Sequence, residues 1–184
     1  MKELVALAKA QPGKINYASG GAGQSSHMAM ELFKLVAGMD LVHVPYKGAG
    51  PGMTAIIAGE VGAMFAAIPA AAPHIKANRL RALAVGGAQR SALLPDTPTI
   101  AESGFRFDAS SWYGVLAPKN TPRAIVARLH DTLVQTLTAP AMRARLTEIA
   151  FDVEASSPDA FAAHLRRETA TWSKVVAAVG LRGK

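Results

Sequence analysis

The chain has 184 residues, half of them apolar and 18% charged, with mean hydropathy +0.18 and no cysteine. That balance excludes a disordered chain, and the missing cysteine excludes disulfides, thiolate metal sites and a cysteine nucleophile. Net charge is +7, yet only Arg166 and Arg167 adjoin and aromatics make up 6%, so nucleic acid is not an expected partner.

Met1 to Ala10 reads as an amphipathic helix with Leu4, Leu7 and Ala8 on one face, stopped by Gln11-Pro12-Gly13. It lacks the apolar core of a signal peptide. A strand over Ile15 to Ser19 enters Gly20-Gly21-Ala22-Gly23, and a helix follows to about Gly38, with Met28, Leu32, Leu35 and Val36 on one face. Leu41 to Pro45 is the next strand. The glycine-proline loop Lys47 to Gly52 leads into a helix carrying Met53, Ile56 and Ile57. Val61 to Ala66 and Leu80 to Val85 are apolar runs of strand length, with a helix near Ala70 to Ala77 between them. Thr97-Pro98, Thr121-Pro122 and Ser157-Pro158 each place a capping hydroxyl before a proline at the first helical position. From Pro122 a helix aligns Val126, Leu129, Leu133 and Leu137, and Pro140 starts another. A short strand, Phe151 to Val153, precedes a long last helix burying Phe161, Leu165, Trp172, Val175, Val176 and Val179.

Strands alternating with helices predict an α/β fold with a mainly parallel sheet and helices on both faces. No run reaches the length of apolar residues that a membrane-spanning helix needs.

The most informative stretch is Tyr17 to Phe33, YASGGAGQSSHMAMELF. A strand runs into a glycine turn and then a helix whose first turn holds Ser25, Ser26 and His27. Unpartnered amides and the positive end of the helix dipole suit an anion there. Ser19, Gly20, Gly21, Gly23, Gln24, Ser25, Ser26 and His27 are therefore candidate ligand-binding residues. No Gly-Lys-Ser/Thr follows, as a P-loop needs, and Ser26 stands where the dinucleotide fingerprint has its third glycine. A tight turn capped by serine, with no ligand, is the competing reading.

At the end of the next strand, Tyr46 and Lys47 offer a hydroxyl and a cation, against the plainer reading of a solvated lysine on a turn. The loop Phe65-Ala66-Ala67-Ile68-Pro69 has no titratable group, so Ala66, Ala67 and Pro69 would contribute shape to a pocket.

No metal and no cofactor are expected, because the five histidines show no ligand spacing. No nucleophile elbow is present, and Ser26 and His27 are neighbours that point apart on a helix. A non-catalytic binding protein is expected. The alternative is a small hydrolase or transferase using His27 with Ser25 or Ser26, and a third possibility is a module whose basic surface binds a polyanion.

The order INYASGGAGQSSHMAMELF, LVHVPYKGAGP, PHIKANRLRALAVGGAQRS, LPDTPTIAESGF and SWYGVLAPKNTP resembles the Bug-type (TctC-like) solute-binding proteins, through to about Gly180. These are periplasmic receptors of tripartite tricarboxylate transporters. The resemblance implies a two-lobed, periplasmic-binding-protein-like (type II-like) architecture that closes on a small organic mono-, di- or tricarboxylate and delivers it to membrane transporter subunits. Residues 1–111 would form the second, ligand-binding lobe. Residues 112–184 would return to a first lobe whose N-terminal part is absent, since family members are longer. Ser19 to His27 would be the ligand loop, with Tyr46 and Lys47 in the family's PYKG turn. Ala66 and Ala67 stand where the family usually bears Asp-Asn, which favours a carboxylate with an apolar or aromatic body. C-terminal helices shaped to pack on a missing lobe are expected to self-associate.

Overall fold

The structure, a computed structural model, describes residues 1–149 and 151–180. In order, the described elements are α1 (Lys2–Ala10), β1 (Asn16–Ser19), α2 (Ser25–Ala37), β2 (Val42–Pro45), α3 (Ala49–Ala58), β3 (Ala63–Met64), α4 (Ile68–Lys76), α5 (Arg123–Thr138), α6 (Pro140–Glu148) and α7 (Pro158–Ala178). The chain divides into two units, Met1–Ser111 with the segment from Lys174, and Trp112–Ser173.

In the first unit the three strands form one parallel sheet in the order β2-β1-β3, with Tyr17 opposite both His43 and Ala63. The fold is α/β. Side chains alternate across the central strand, so Tyr17 and Ser19 face one way and Ala18 the other. On the Tyr17 side, α1 and α2 contribute Val5, Ala8, Met30, Phe33 and Ala37 to a core that Leu41, Ile100 and Phe107 complete. Phe33 meets Phe105 and Phe107 edge-on, with centroids 5.5 and 5.6 Å apart, an arrangement that ring quadrupoles favour. On the Ala18 side, α3 packs Ala55 beside Val61. Gly52 permits this approach, because a Cβ there would lie 3.3 Å from Met64 Cε and 3.5 Å from the Ser19 carbonyl oxygen. α2 stops at Gly38, which takes the left-handed conformation (φ 61°) while Met39 N–H bonds the Lys34 carbonyl.

Several local expectations are corrected. Of the face expected on α2, Met28 is buried, Leu32 and Val36 are half-buried and Leu35 is exposed, while Met30, Phe33 and Ala37 are buried instead; in α1 the buried pair is Val5 and Ala8, with Leu7 outside. α3 begins at Ala49 rather than after Gly52. Pro51 falls within the first turn, where its missing N–H has no intrahelical partner to lose. The third strand shrinks to Ala63–Met64. Leu80 to Val85 forms no strand, since Val85 alone is paired, in a bridge to Thr99. That bridge also displaces the helix start expected at Thr97-Pro98. No helix starts there among the described residues: the Pro98 carbonyl accepts Val85 N–H, and Ile100 to Gly104 form turns in which the Thr99 hydroxyl takes Glu102 N–H while Glu102 Oε2 takes Thr99 N–H. The Glu102 carboxyl is held below its ordinary pKa, first by the Arg90 guanidinium and then by that amide.

In the second unit, α5 presents Val126, Leu133 and Leu137 half-buried, while Leu129 is exposed. Thr121 makes no cap bond, because Pro122 itself is the N-cap of α5. Ser157 does cap α7, its hydroxyl accepting Ala160 N–H at 3.2 Å. Phe151 to Val153 forms no strand; Phe151 N–H closes the end of α6 on the Leu146 carbonyl. The indoles of Trp112 and Trp172 both donate to Glu168 Oε2, at 3.0 and 2.9 Å. Burial pushes that carboxyl's pKa up, but the two donors outweigh it and hold it low. Of the apolar face expected on the last helix, Phe161, Leu165 and Trp172 in this unit are half-buried; in the segment from Lys174, grouped with the first unit, Val175 is buried and Val176 and Val179 are half-buried. No helix among the described residues is long and apolar enough to cross a membrane.

Candidate functional site

Parallel strands end along one edge of a sheet, and α2, α3 and α4 each begin just after β1, β2 and β3. Three helix starts therefore gather at that edge, each with the positive end of its dipole, though Pro51 and Pro69 remove amides from the first turns of α3 and α4 and Ala70 N–H is taken by the Ala67 carbonyl. At α2, the first helical hydrogen bond runs from Met28 N–H to the Gln24 carbonyl (2.9 Å). The amides of Ser25, Ser26 and His27 have no partner among the described residues, and Gln24 supplies no side-chain cap. Gln24 and Ser25 are exposed at this end.

The glycine loop before α2 is tied to itself. Gly20 N–H donates to Ser26 Oγ at 3.0 Å, Gly21 N–H to Ser19 Oγ at 3.1 Å, and Gly23 N–H to His27 Nδ1 at 3.0 Å. Gly21 (φ 143°) and Gly23 (φ 77°) adopt conformations that side chains disfavour. Gly20 has a different reason: a Cβ there would come within 3.1 Å of Ala49 N and 3.2 Å of the Gly48 carbonyl carbon. Two backbone bonds, Tyr46 N–H to Ser19 O and Gly48 N–H to Gly20 O, fasten the second loop alongside. The structure thus brings Tyr46 and Lys47 next to Ser19 to His27, with Lys47 exposed and Tyr46 half-buried. Ala66 and Ala67 are exposed, Ala67 being the N-cap of α4. Pro69 sits in the first turn of α4 rather than in a loop.

Six of the expected site residues have tasks inside the loop: Ser19, Gly20, Gly21, Gly23, Ser26 and His27 use a hydroxyl, an amide or a ring nitrogen to hold it. What remains without a hydrogen-bond partner among the described residues is the row of α2 amides, with the exposed Gln24 and Ser25 side chains beside it.

Beneath the loop lies a polar cluster. Tyr17 Oη donates to Glu31 Oε1 at 2.5 Å, and Lys34 Nζ reaches the same carboxylate at 2.9 Å. The His27 and His43 rings stack with centroids 3.9 Å apart, and His43 Nε2 is 2.6 Å from Ser19 Oγ. Burial, then the Glu31 hydrogen bond, raises the Tyr17 pKa far above its usual range. Burial, the largest cause, lowers both imidazole pKa values; His27 lowers that of His43 further, Glu31 pulls both back up, and Lys34 lowers both. Tyr17, Glu31, Lys34 and His43 were not among the expected site residues. A signal was present: His27, Glu31 and Lys34 are spaced four and three apart on α2, and Tyr17 and Ser19 share a face of β1.

This arrangement does not favour hydrolysis. His27 Nδ1 is occupied by Gly23 N–H, Ser26 Oγ by Gly20 N–H, and among the described residues neither Ser25 nor Ser26 bonds His27. Ser19 does pair with His43, but Ser19 is wholly buried and out of reach of a substrate. No group of three His, Asp or Glu that could hold a metal exists among the described residues.

Comparison with known proteins matches residues 1–181 to the tripartite tricarboxylate transporter family receptor, TctC. A protein of the tcbD-tcbE intergenic region of Pseudomonas sp. strain P51 is 35% identical, covering 95% of this chain and 52% of its own. BugT of Bordetella pertussis is 34% identical, covering 98% and 56%. Among solved structures, R. palustris Rpa4515 with adipate superposes with a TM-score of 0.84 at 33% identity, over 98% of this chain and 60% of its own. The periplasmic binding protein BugD gives 0.81 at 29% identity, covering 100% and 62%. MatC of Rhodopseudomonas palustris, with bound malate, gives 0.79 at 28%, covering 96% and 61%. The chain spans about half the length of the curated relatives it matches. These likenesses are to binding proteins rather than enzymes, and the fold is that of the periplasmic binding proteins. With 181 of its 184 residues matched, the chain belongs to the TctC receptors of the tripartite tricarboxylate transporter family.

Proposed function

We propose that this chain captures a small organic carboxylate at the end of its parallel sheet, as part of a periplasmic receptor that hands the ligand to a tripartite membrane transporter. In this reading residues 1–111 are the ligand-binding lobe and residues 112–184 belong to the other. The observation that carries it is the row of open amides at Ser25, Ser26 and His27, beside a glycine loop already fastened in place. Preformed donors at a helix start suit an anion and need little ordering when it arrives. Nothing there is poised to attack a bound carboxylate, which suits reversible capture. The adipate and malate held by Rpa4515 and MatC support the ligand class. Ala66 and Ala67 put exposed methyl groups at the α4 start, which favours a carboxylate with an aliphatic body, closer to adipate than to malate.

The test is titration of the labelled chain with adipate, malate and citrate, followed by amide NMR shifts. The reading expects saturable shifts at Ser25, Ser26 and His27, with none at Gly38 at the other end of α2. Adipate should saturate at lower concentration than malate. Amides at 25–27 that ignore all three carboxylates overturn the proposal.

A further inference from the structure

The cluster under the glycine loop is arranged around one proton. Gly23 N–H points at His27 Nδ1 at 3.0 Å, which demands a lone pair on that nitrogen. The neutral ring then carries its hydrogen on Nε2, which faces Glu31 Oε1 at 4.0 Å. From β2, the His43 ring lies on the same imidazole at 3.9 Å, and its Nε2 is 2.6 Å from the Ser19 hydroxyl that receives Gly21 N–H. The remaining groups that face the pair are Tyr17 on β1 and Glu31 and Lys34 on α2. Glu31 favours a charged imidazole, but it also serves Tyr17 and Lys34, and burial outweighs its pull on both rings. A proton on His27 Nδ1 would set two donors against each other, and two imidazolium rings in face contact would repel.

We propose that His27 is a positioning residue of the glycine loop that works only as the neutral ring, so that a proton taken up there unlatches Gly23. Burial favours the neutral form and keeps the latch closed at neutral pH. The functional consequence rests on the carboxylate-receptor reading: the loop would grip its ligand near neutrality and slacken in acid.

The test is amide hydrogen exchange at Gly23 in the full chain, divided by its intrinsic rate, from about pH 8 to about pH 4.5. Phe33, inside α2, reports whether the fold is intact. Wild-type protection at Gly23 should fall about tenfold across the histidine titration, the factor that one net hydrogen bond carries. His27→Asn, whose Oδ1 accepts in place of Nδ1 and does not titrate, should keep its protection at every pH. His27→Ala should lack it at every pH. The inference is overturned by a wild-type profile that stays flat, by His27→Asn losing protection in acid as the wild type does, or by His27→Ala retaining it. If His27→Ala loses protection at Phe33, the wild type and His27→Asn decide alone. Adipate titration near pH 7.5 separates the two readings. A pH-responsive loop without adipate shifts sinks the receptor and leaves the latch standing; adipate shifts beside an unresponsive loop do the reverse.

Discussion

The Tyr17 hydroxyl on β1 donates to the Glu31 carboxylate on α2 at 2.5 Å, joining the central strand to the helix that follows it. Both residues are buried, so the bond replaces water that neither could recover. Tyr17→Phe removes the donor and leaves Glu31 with Lys34 alone. The expected loss is about 1–3 kcal/mol in urea unfolding. Glu31→Ala should cost more than Tyr17→Phe, since it strands both a buried phenol and a lysine. Equal losses would show that the carboxylate is not the centre of the cluster.

A Cβ on Gly20 would press on the Gly48–Ala49 peptide, and backbone yields less readily than a side-chain tip. Gly20→Ala should destabilise by about 1–3 kcal/mol, as overpacking does. It should also broaden or shift the amide signals of the Tyr46–Gly48 segment, which Gly20 O anchors. Wild-type stability with unchanged signals there would mean the two loops are not held in register by this contact.

Acid should weaken the fold through the two stacked histidines. Burial, the first cause for both, holds His27 and His43 below the ordinary imidazole pKa, so the unfolded chain binds protons more readily than the folded one. Their contribution to stability is complete above about pH 6.5 and is lost as pH falls toward the folded values. Melting temperature should be level between about pH 8 and 7 and decline from about 6.5 downward. His27→Asn should make that decline shallower. A melting temperature that rises on acidification through this window contradicts the assignment.

Ser157 and Thr121 each precede a proline, yet only Ser157 bonds a helical amide. Ser157→Ala is expected to cost about 0.5–2 kcal/mol. Thr121→Ala should stay within about 0.5 kcal/mol of wild type, as a surface change without a specific contact does. Denaturant curves that rank the two in the opposite order would refute the distinction.

Tyr113, Val115 and Leu116 are 82%, 71% and 71% exposed, too much clustered apolar surface to stay in water unattended. The chain is expected to self-associate through its C-terminal part, giving a mass by light scattering above the 19.2 kDa of one copy. Tyr113→Ser with Leu116→Ser should return it to that mass. A monodisperse monomer of the unaltered chain rules the expectation out.

The α/β alternation and the glycine loop at the end of β1 were legible because both are written locally, in strand-length runs and a Gly-Gly-Ala-Gly turn. So was the Ser157 cap. The failures came where a residue's partner lies far along the chain. Val85 found a single bridge at Thr99 rather than a strand neighbour, and the Pro98 carbonyl is taken by that contact where a helix start was expected. Helical spacing on α2 admits several stripes, and only the sheet it covers selects Met30, Phe33 and Ala37 over Leu35. The Tyr17, Glu31 and His43 cluster was invisible for a related reason: each member is unremarkable alone, and strand register sets His43 opposite Tyr17.

The strand order β2-β1-β3 also governs how this protein is made. β1 is translated first, yet it has no adjacent hairpin partner: one edge waits for β2 and the other for β3, each beyond an intervening helix. Pairings of that kind require closing long loops before any ladder bond is gained, which slows folding. A ribosome-bound chain halted before Ala63 would hold Tyr17 and Ala18 in a strand open along one side, the kind of edge on which nascent chains stick to one another. Among the described residues, emergence of the two-residue strand β3, rather than of the long helices after it, is the step at which β1 gains its second neighbour.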